Sequence, residues 1–504
     1  MPVIAFHETE IRDANQAIYN GGDCCLTFEI DEARQRLRQN DTLIYDFERA
    51  MQAPAMEMML RGFRVDIAER EKAILATHSR KDSNEEVIKT IITAIMGSYN
   101  EKLPNSPTQL QHLFYDIMRI PPIERHINGE TKRPMNRETL ERLETRDKWA
   151  APIINAILRH RDWTKTLQVL ETEIDSDWRW RCSYNIGGTS TGRWSSSKSP
   201  FLSYNEETQK WKQVGNNFQN INEELRRIFI PDPGFKLYGI DKAQSEARDV
   251  GWFCGTILGD WSYLDACESG DLHTYVTRLV YPEWSWTGDI KKDRQLSERR
   301  FYRLFTYRDA SKRLGHATNY LVTPNEASRQ IRIPLNLVED FQRRYFAAFP
   351  CIQRMHQWVS QQLQRSRFLV NSFGRRRDFF DRPEDRETLK SAIAYLFQSA
   401  TGDCLNLGLW RLWRKMESKI QILAQLHDAV YFQAPISNDS EEQNLLRESL
   451  KLVEITQRDP KSGRTMTIPG EIVGGFNWAH RFRLLEDGTR DEWNPRGLSE
   501  IKIA

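Results

Sequence analysis

The chain has 504 residues, of which 39% are hydrophobic and 28% charged, enough to bury a large core in about two to four domains and too apolar for a disordered protein. Its formal net charge is only +2, so any nucleic-acid surface must come from local segregation of charge. Seven scattered cysteines without a CxxC pair argue against a disulfide framework or a zinc site. No apolar run approaches the roughly 20 residues that cross a bilayer, and "MPVIAFHETEIRD" lacks the basic and apolar regions of a signal peptide. No membrane partner and a reducing, cytoplasmic compartment are expected.

Residues 40–175 read as mostly helical. "TLIYDFERAMQAPAMEMMLRG" carries apolar residues at helical spacing with Gly62 as its stop, "RGFRVD" turns, and Ser106-Pro107 opens a further helix. From "WRWRCSYNIGGTSTGRWSSSKSP" onward, Gly, Ser, Thr and aromatic residues predict short strands and a long loop reaching "NNFQNI". "GFKLYGID" is a strand ending at Asp241, and "QSEARDVGWFCG" opens a helix directly after it. Residues 292–322 read as helical and basic until Pro324 stops them. Six arginines and no acid fall between Arg354 and Arg377, which on composition alone is a solvated basic face. "KIQILAQLHDAVYFQ" predicts a β-hairpin with His427 and Asp428 at its tip.

An aspartate after a strand is more often a turn or cap residue than a ligand. Two of them, Asp241 and Asp428, can meet if their strands share a sheet. Paired carboxylates on rigid strand ends suit Mg²⁺, which takes one or two protein carboxylates and completes its shell with water and substrate phosphates. Two such ions about 4 Å apart activate an attacking hydroxyl and stabilise a leaving pyrophosphate. In "RDASKRLGHATNYL", Arg308, Lys312, His316 and Tyr320 recur every four residues, each displaced by about 40° on a helix, so they share one broad face able to grip a triphosphate.

In this order the segments resemble the family A DNA polymerases, bacterial DNA polymerase I and its phage relatives. "DKAQSEARDVG" resembles motif A, "RDASKRLGHATNY" motif B and "QLHDAVYF" motif C. "TSTGRWSSS", "NNFQNIN" and "FQSATGD" resemble primer–template segments, and "IPGEIVGGFNWAHRF" the C-terminal signature. The resemblance implies an α+β fold shaped like a right hand. A palm with an antiparallel sheet is expected at 176–255 and 396–504, helical fingers at 256–395 and a helical thumb at 39–175. It implies DNA-templated extension of a primer 3′-hydroxyl with dNTPs, releasing pyrophosphate, with two Mg²⁺ ions for which Mn²⁺ can substitute.

By resemblance Asp241 and Asp428 are catalytic metal ligands, joined by the backbone carbonyl of Lys242. Arg308, Lys312, His316, Tyr320, Gln244 and His273 face the dNTP, and Glu246 crowds the sugar 2′ position. Arg193, Asn217, Gln219, Asn220, Gln398 and His427 face primer–template DNA. The departures are His316 where Phe or Tyr is usual, Leu321 where glycine ends motif B, Ala429 where motif C carries glutamate, and Ala394 where asparagine is common. An insertion, "KSPFLSYNEETQKWKQVG", lengthens a loop near the duplex, and Trp284 and Trp286 are read as packing.

A proofreading exonuclease precedes the polymerase in many relatives. Residues 1–38 carry only Tyr19 and Asp23, which match the Tyr-x3-Asp of its last motif. They read either as a remnant or as the docking segment for a separate exonuclease polypeptide, with other replisome proteins as further partners in a bacterial or phage-infected cell. The rival functions are a single-subunit RNA polymerase, against which Glu246 argues, and a catalytically inactive primer–template binding module, which Ala429 motivates.

Overall fold

Apolar residues recurring at helical spacing make the first third of the chain helical. In the computed structural model the described residues are 8–37, 42–127, 130–199, 202–205, 209–302, 305–484 and 490–503. The expected boundary at 38–39 and parts of the inserted loop, 200–201 and 206–208, lie outside them. Helix α1 spans Glu8–Leu37, α2 Ile67–Met96 and α3 Ala151–Leu170. Asp23 lies inside α1 and not at a helix start, and Ile18, Tyr19, Leu26, Phe28 and Ile30 on α1 are exposed. Helix α2 begins at Asp66, whose carboxylate accepts from the Glu69 N–H, and ends at Gly97 in the left-handed conformation. Asn84 of α2 donates to the Ala156 carbonyl of α3 at 2.9 Å, and Ile88, Phe114, Leu140 and Ile154 form the core beside them. Ser106 caps Pro107–Gln111 as expected. "RGFRVD" is more than a turn, because Phe63–Val65 is a strand between Arg179–Trp180 and Phe229–Ile230.

The Ser- and Gly-rich region forms strands β1 (Cys182–Asn185) and β2 (Ser195–Lys198) and, in the insertion, the hairpin of Leu202–Asn205 with Lys210–Gln213. Then come β3 (Phe235–Lys242), α4 (Ser245–Leu258), α5 (Leu272–Val280), α6 (Tyr307–Asn319) and the long buried α7 (Arg386–Met416). The predicted hairpin is β4 (Gln421–Leu426) and β5 (Ala429–Pro435). The chain closes with α8 (Asp439–Val453), β6 (Gly470–Gly475), β7 (Arg483–Leu484), β8 (Arg490–Asp491) and β9 (Ser499–Glu500). One antiparallel sheet runs β4-β5-β3-β6-β9. Leu405, Leu409 and Leu412 of α7 and Leu446 of α8 share its core with Ile240 and Val430. A second core, with Val276, Leu314, Phe341 and Ile352, joins the helices around α5 and α6.

Two expectations are corrected. Residues 292–322 are not one helix: Ile290–Ser297 ends before a short hairpin of Arg300–Tyr302 and Phe305–Thr306, and α6 follows. The Thr306 hydroxyl and Asp309 carboxylate form a capping box that restarts the helix. Pro324 opens the next helix instead of stopping one, because a proline at a first helical position loses no hydrogen bond. The six-arginine run is also no uniform solvated face. Arg375 is buried and donates to Asp403 at 2.7 Å, Arg354 pairs with Asp260, and Arg376 and Arg377 lie over Phe368 and Phe379. Trp284 and Trp286 do pack, stacked at 5.4 Å with Tyr281 and Tyr307 around them.

Trp478, from the C-terminal signature, is fully buried, stacked on Phe63 at 4.8 Å and edge-on to Phe218 and Phe229. It joins the end of the chain to segments hundreds of residues earlier. Trp478→Ala is expected to lower the unfolding free energy by about 3–5 kcal/mol, read as a shifted midpoint in urea or guanidinium denaturation.

Candidate active site

Strand β3 pairs with β5 so that Asp241 lies opposite Ala429, and with β6 so that Asp241 lies opposite Glu471. Asp428 precedes Ala429 in the two-residue hairpin turn, and its carbonyl accepts from the Lys242 N–H at 3.1 Å. His427 takes the left-handed conformation, φ 52°, that a tight turn demands and that costs a side-chain-bearing residue free energy. The two aspartates are therefore neighbours at one end of the central strands.

Solvent reaches Asp241, but the protein packed around it and the Asp428 carboxylate push its pKa up to about 6, with Glu471 adding to the effect. Burial also raises Asp428, opposed by the Arg193 guanidinium, which lies 3.2 Å from its Oδ1. Among the described residues no three His, Cys, Asp or Glu side chains form a self-contained metal site. Two carboxylates raised by burial and by neighbouring acids, Asp428 beside Asp241 and Glu246 beside Asp428, are instead the donor set that a hard cation sharing its shell with substrate oxygens would relieve. The Lys242 side chain is buried and donates to the Val453 carbonyl, so only its backbone faces this end of the strand.

A cavity of about 950 Å³ opens between β3, α4, α5 and α6 and brings together most of the expected residues: Lys242, Gln244, Glu246, His273, Lys312, His316, Tyr320, Gln398 and Asp428 line it. Gln244 precedes α4 in the left-handed conformation, φ 55°, and its Oε1 is buried without a partner among the described residues. Glu246 is clamped. Arg193 donates to its Oε1 and Tyr320 to its Oε2, both at 2.5 Å, while His316 Nε2 stands 3.9 Å away. The Arg193 side chain packs beside Gly402 of α7, where a Cβ would stand in ordinary contact with its Cγ at 3.4 Å. Burial lowers the His273 pKa to about 4, with Arg308 and Lys312 contributing, so its ring is neutral at pH 7.

Other expected residues sit elsewhere. Arg308 does not line the cavity. It forms a two-pronged ion pair with Asp271, at 2.9 and 3.1 Å, and Asp271 in turn caps α5 just before His273. Asn217 and Gln219 hold the preceding loop: Asn217 donates to the Ser196 carbonyl and Gln219 to the Trp194 carbonyl. Asn217 and Asn220 also line a second cleft beside α2 and α3. His427 lies at the hairpin tip, its pKa lowered by burial.

Three groups escaped the sequence reading. Asp271 was legible as a helix N-cap, and Glu471 as the residue opposite a site aspartate once strand pairing is known. Asp249, fully buried on α4, accepts from Thr401 Oγ1 at 2.8 Å, and Thr401 also bonds Ser245. Its only sequence signal is a charge at a core-facing position, beside Val250.

The family model for DNA polymerase family A matches residues 75–459. The chain belongs to DNA polymerase family A. Its motif A strand, motif B helix and motif C hairpin converge on the cavity just described. The chain is 24% identical over 368 residues to the thermostable DNA polymerase I of Thermus thermophilus, covering 69% of this chain and 39% of that protein. It is 23% identical over 460 residues to the DNA polymerase I of Caldicellulosiruptor bescii, covering 86% and 47%. The chain thus spans less than half the length of these relatives. A solved structure, the POL domain of Pol1 from M. smegmatis in complex with DNA primer-template and dNTP, shares its fold with a TM-score of 0.66 at 18% identity, covering 88% of this chain and 70% of that one.

Burial pushes the Asp249 pKa up to about 8 against an ordinary value near 4, the Thr401 hydrogen bond opposing it. Between these values the native state binds the proton more tightly than the unfolded chain, so this group makes stability fall as pH rises. Relative to Asp249→Asn, which keeps the acceptor without the charge, the native chain is expected to lose up to about 1.4 kcal/mol per pH unit between pH 5 and 8. Denaturant unfolding at several pH values measures the difference.

Proposed function

We propose that this chain is a DNA-templated DNA polymerase that extends a primer 3′-hydroxyl with dNTPs and releases pyrophosphate. The observation that carries the reading is the placement of Asp241 beside Asp428, which itself lines a cavity shared with Lys312 and His273. Carboxylates at one end and cationic or donor side chains at the other suit a triphosphate whose α-phosphate faces the aspartates. Divalent cations, Mg²⁺ or Mn²⁺ in its place, would be held by Asp241, Asp428 and the Lys242 carbonyl, and would lower the pKa of the attacking hydroxyl and offset charge on the phosphates.

The protein side chains have separate tasks in this reading. Lys312 draws the triphosphate, and neutral His273 donates or accepts a hydrogen bond at its oxygens. Arg308 holds Asp271 and so fixes the start of α5 from which His273 projects, while its remaining donors are open to the terminal phosphate. Glu246, clamped by Arg193 and Tyr320, stands as a rigid wall beside the sugar and excludes a 2′-hydroxyl. His316 and Tyr320 flank the nucleotide, with ring centroids 4.7 Å apart. Gln398, His427, Asn217, Gln219 and Asn220 belong to the primer–template path. Thumb is assigned to 39–175, palm to 176–255 and 396–504 and fingers to 256–395; a core of its own within residues 88–158 supports the first, while Phe63 and Leu170 pack into the sheet core and Leu396 and Cys404 into the core around α5 and α6. On α1 the exposed Tyr19, Leu26 and Ile30, spaced to share one face, support docking of a further polypeptide such as a separate exonuclease.

Primer extension with Mg²⁺ tests the reading. With dNTPs alone the native chain is expected to extend, and Asp428→Ala is expected to lose on the order of a thousandfold or more in rate while still binding primer–template. Efficient extension with rNTPs would favour an RNA polymerase, and duplex binding without extension in either metal a binding module. Glu246→Ala is expected to raise the ratio of ribonucleotide to deoxyribonucleotide incorporation by about tenfold or more, read in single-nucleotide addition.

A further inference from the structure

The family match ends at residue 459, and the chain continues for a C-terminal stretch that folds back on the sheet. Strand β9 adds to β6, pairing Ser499 with Gly474 and Glu500 with Val473. Asn494 and Asn477 exchange hydrogen bonds at 3.0 and 2.7 Å, Leu498 is buried, and a Cβ at Gly497 would collide with the Ala479 carbonyl. The hairpin of β7 and β8 therefore stands on a fixed base. From it, Arg483 and Trp493 line a second cleft of about 1030 Å³.

Cations outnumber anions in that cleft: Arg80, Arg137, Lys165, Lys198, Arg227 and Arg483 stand against Asp162, which pairs with Arg137, and Glu224. Helices α2 and α3 contribute Arg80 and Lys165, and β2 contributes Lys198. The loop after β2 adds the amides of Asn217 and Asn220. Arg483 is oriented by the Asp491 carboxylate, both contacts being 2.8 Å, and its guanidinium stands 5.7 Å from the Trp493 ring. The indole Nε1 of Trp493 is a buried donor with no partner among the described residues. Unmet donors and cations without sequence-reading geometry are the chemistry of a phosphodiester backbone.

We propose that the C-terminal hairpin is a duplex-gripping element, in which Arg483 and the Trp493 N–H contact backbone phosphates of the primer–template duplex across the cleft from Arg80 and Lys165. This rests on the polymerase reading above. Arg483 holds Asp491 through Nε and Nη2, and the remaining donors of the guanidinium can meet a phosphate while that pair is kept, so engagement leaves neither charge unpaired. The contacts carry no base information, as copying of any template requires.

The test is equilibrium binding of a fluorescent primer–template duplex across a salt series, for the native chain, Arg483→Ala and Trp493→Phe. Arg483→Ala is expected to weaken binding about three- to tenfold and to reduce the slope of log affinity against log salt by about one. Trp493→Phe, which keeps the ring and removes the donor, is expected to weaken binding with little change of slope. Extension products under single-encounter conditions should shorten in both. Native affinity and native slope in both variants, with the native chain binding and extending normally, would overturn this proposal alone. Failure of the native chain to bind duplex at all would overturn it together with the polymerase reading.

Discussion

Everything functional in this molecule depends on the register between β3 and β5. The pairing runs unbroken from Phe235 opposite Pro435 to Asp241 opposite Ala429, and a slip of one residue would turn the Asp241 side chain to the other face of the sheet. The register is fixed from both sides, because β6 pairs with the opposite edge of β3. Gly239 sits in the middle of this strand, and a Cβ there would meet the Tyr431 ring at 2.7 Å. The close approach of the strands and the meeting of the aspartates are thus one constraint.

Crowding carboxylates at one place is costly, and the site meets the cost in three different ways. Glu246 is partnered on both of its oxygens, by Arg193 and by Tyr320. Asp249, sealed behind the cavity with only a neutral hydroxyl for company, is relieved by keeping its proton. Asp241 and Asp428 have neither a full partner nor full burial, so their affinity for protons rises, and with it their affinity for any cation that can displace them. Arg193 touches both Glu246 and Asp428. It links the wall beside the sugar to the metal-facing carboxylate, so a change at either is felt by the other.

The strand ending at Asp241, the helix after it and the hairpin tip at His427 and Asp428 were legible because period-two and helical patterns are local. The shared face of Lys312, His316 and Tyr320 was legible for the same reason. Arg308 belonged to that face by spacing, yet its guanidinium turns to Asp271, a partner from another helix that no local pattern reveals. The break in 292–322 was hidden because basic residues mark surfaces and not helix ends, while the Thr306–Asp309 capping box that restarts the helix carries the signal that composition lacks. The arginine run was misleading in the same way, since the buried Arg375 is partnered by Asp403 of α7 and by Glu48, residues far from it in sequence.

Three residues that carry side chains in the left-handed region bracket the candidate site: Gln244 before α4, His427 at the hairpin tip and Leu321 just past α6. Each costs about 1 kcal/mol or more relative to glycine. At Leu321 the resemblance implies glycine. The backbone keeps the conformation that glycine would adopt, φ 58°, while the leucine side chain packs against the helical core around α6. What the fold retains at this position is therefore a dihedral angle and not a residue type. The packing that offsets the strain also ties the end of α6 to its neighbours.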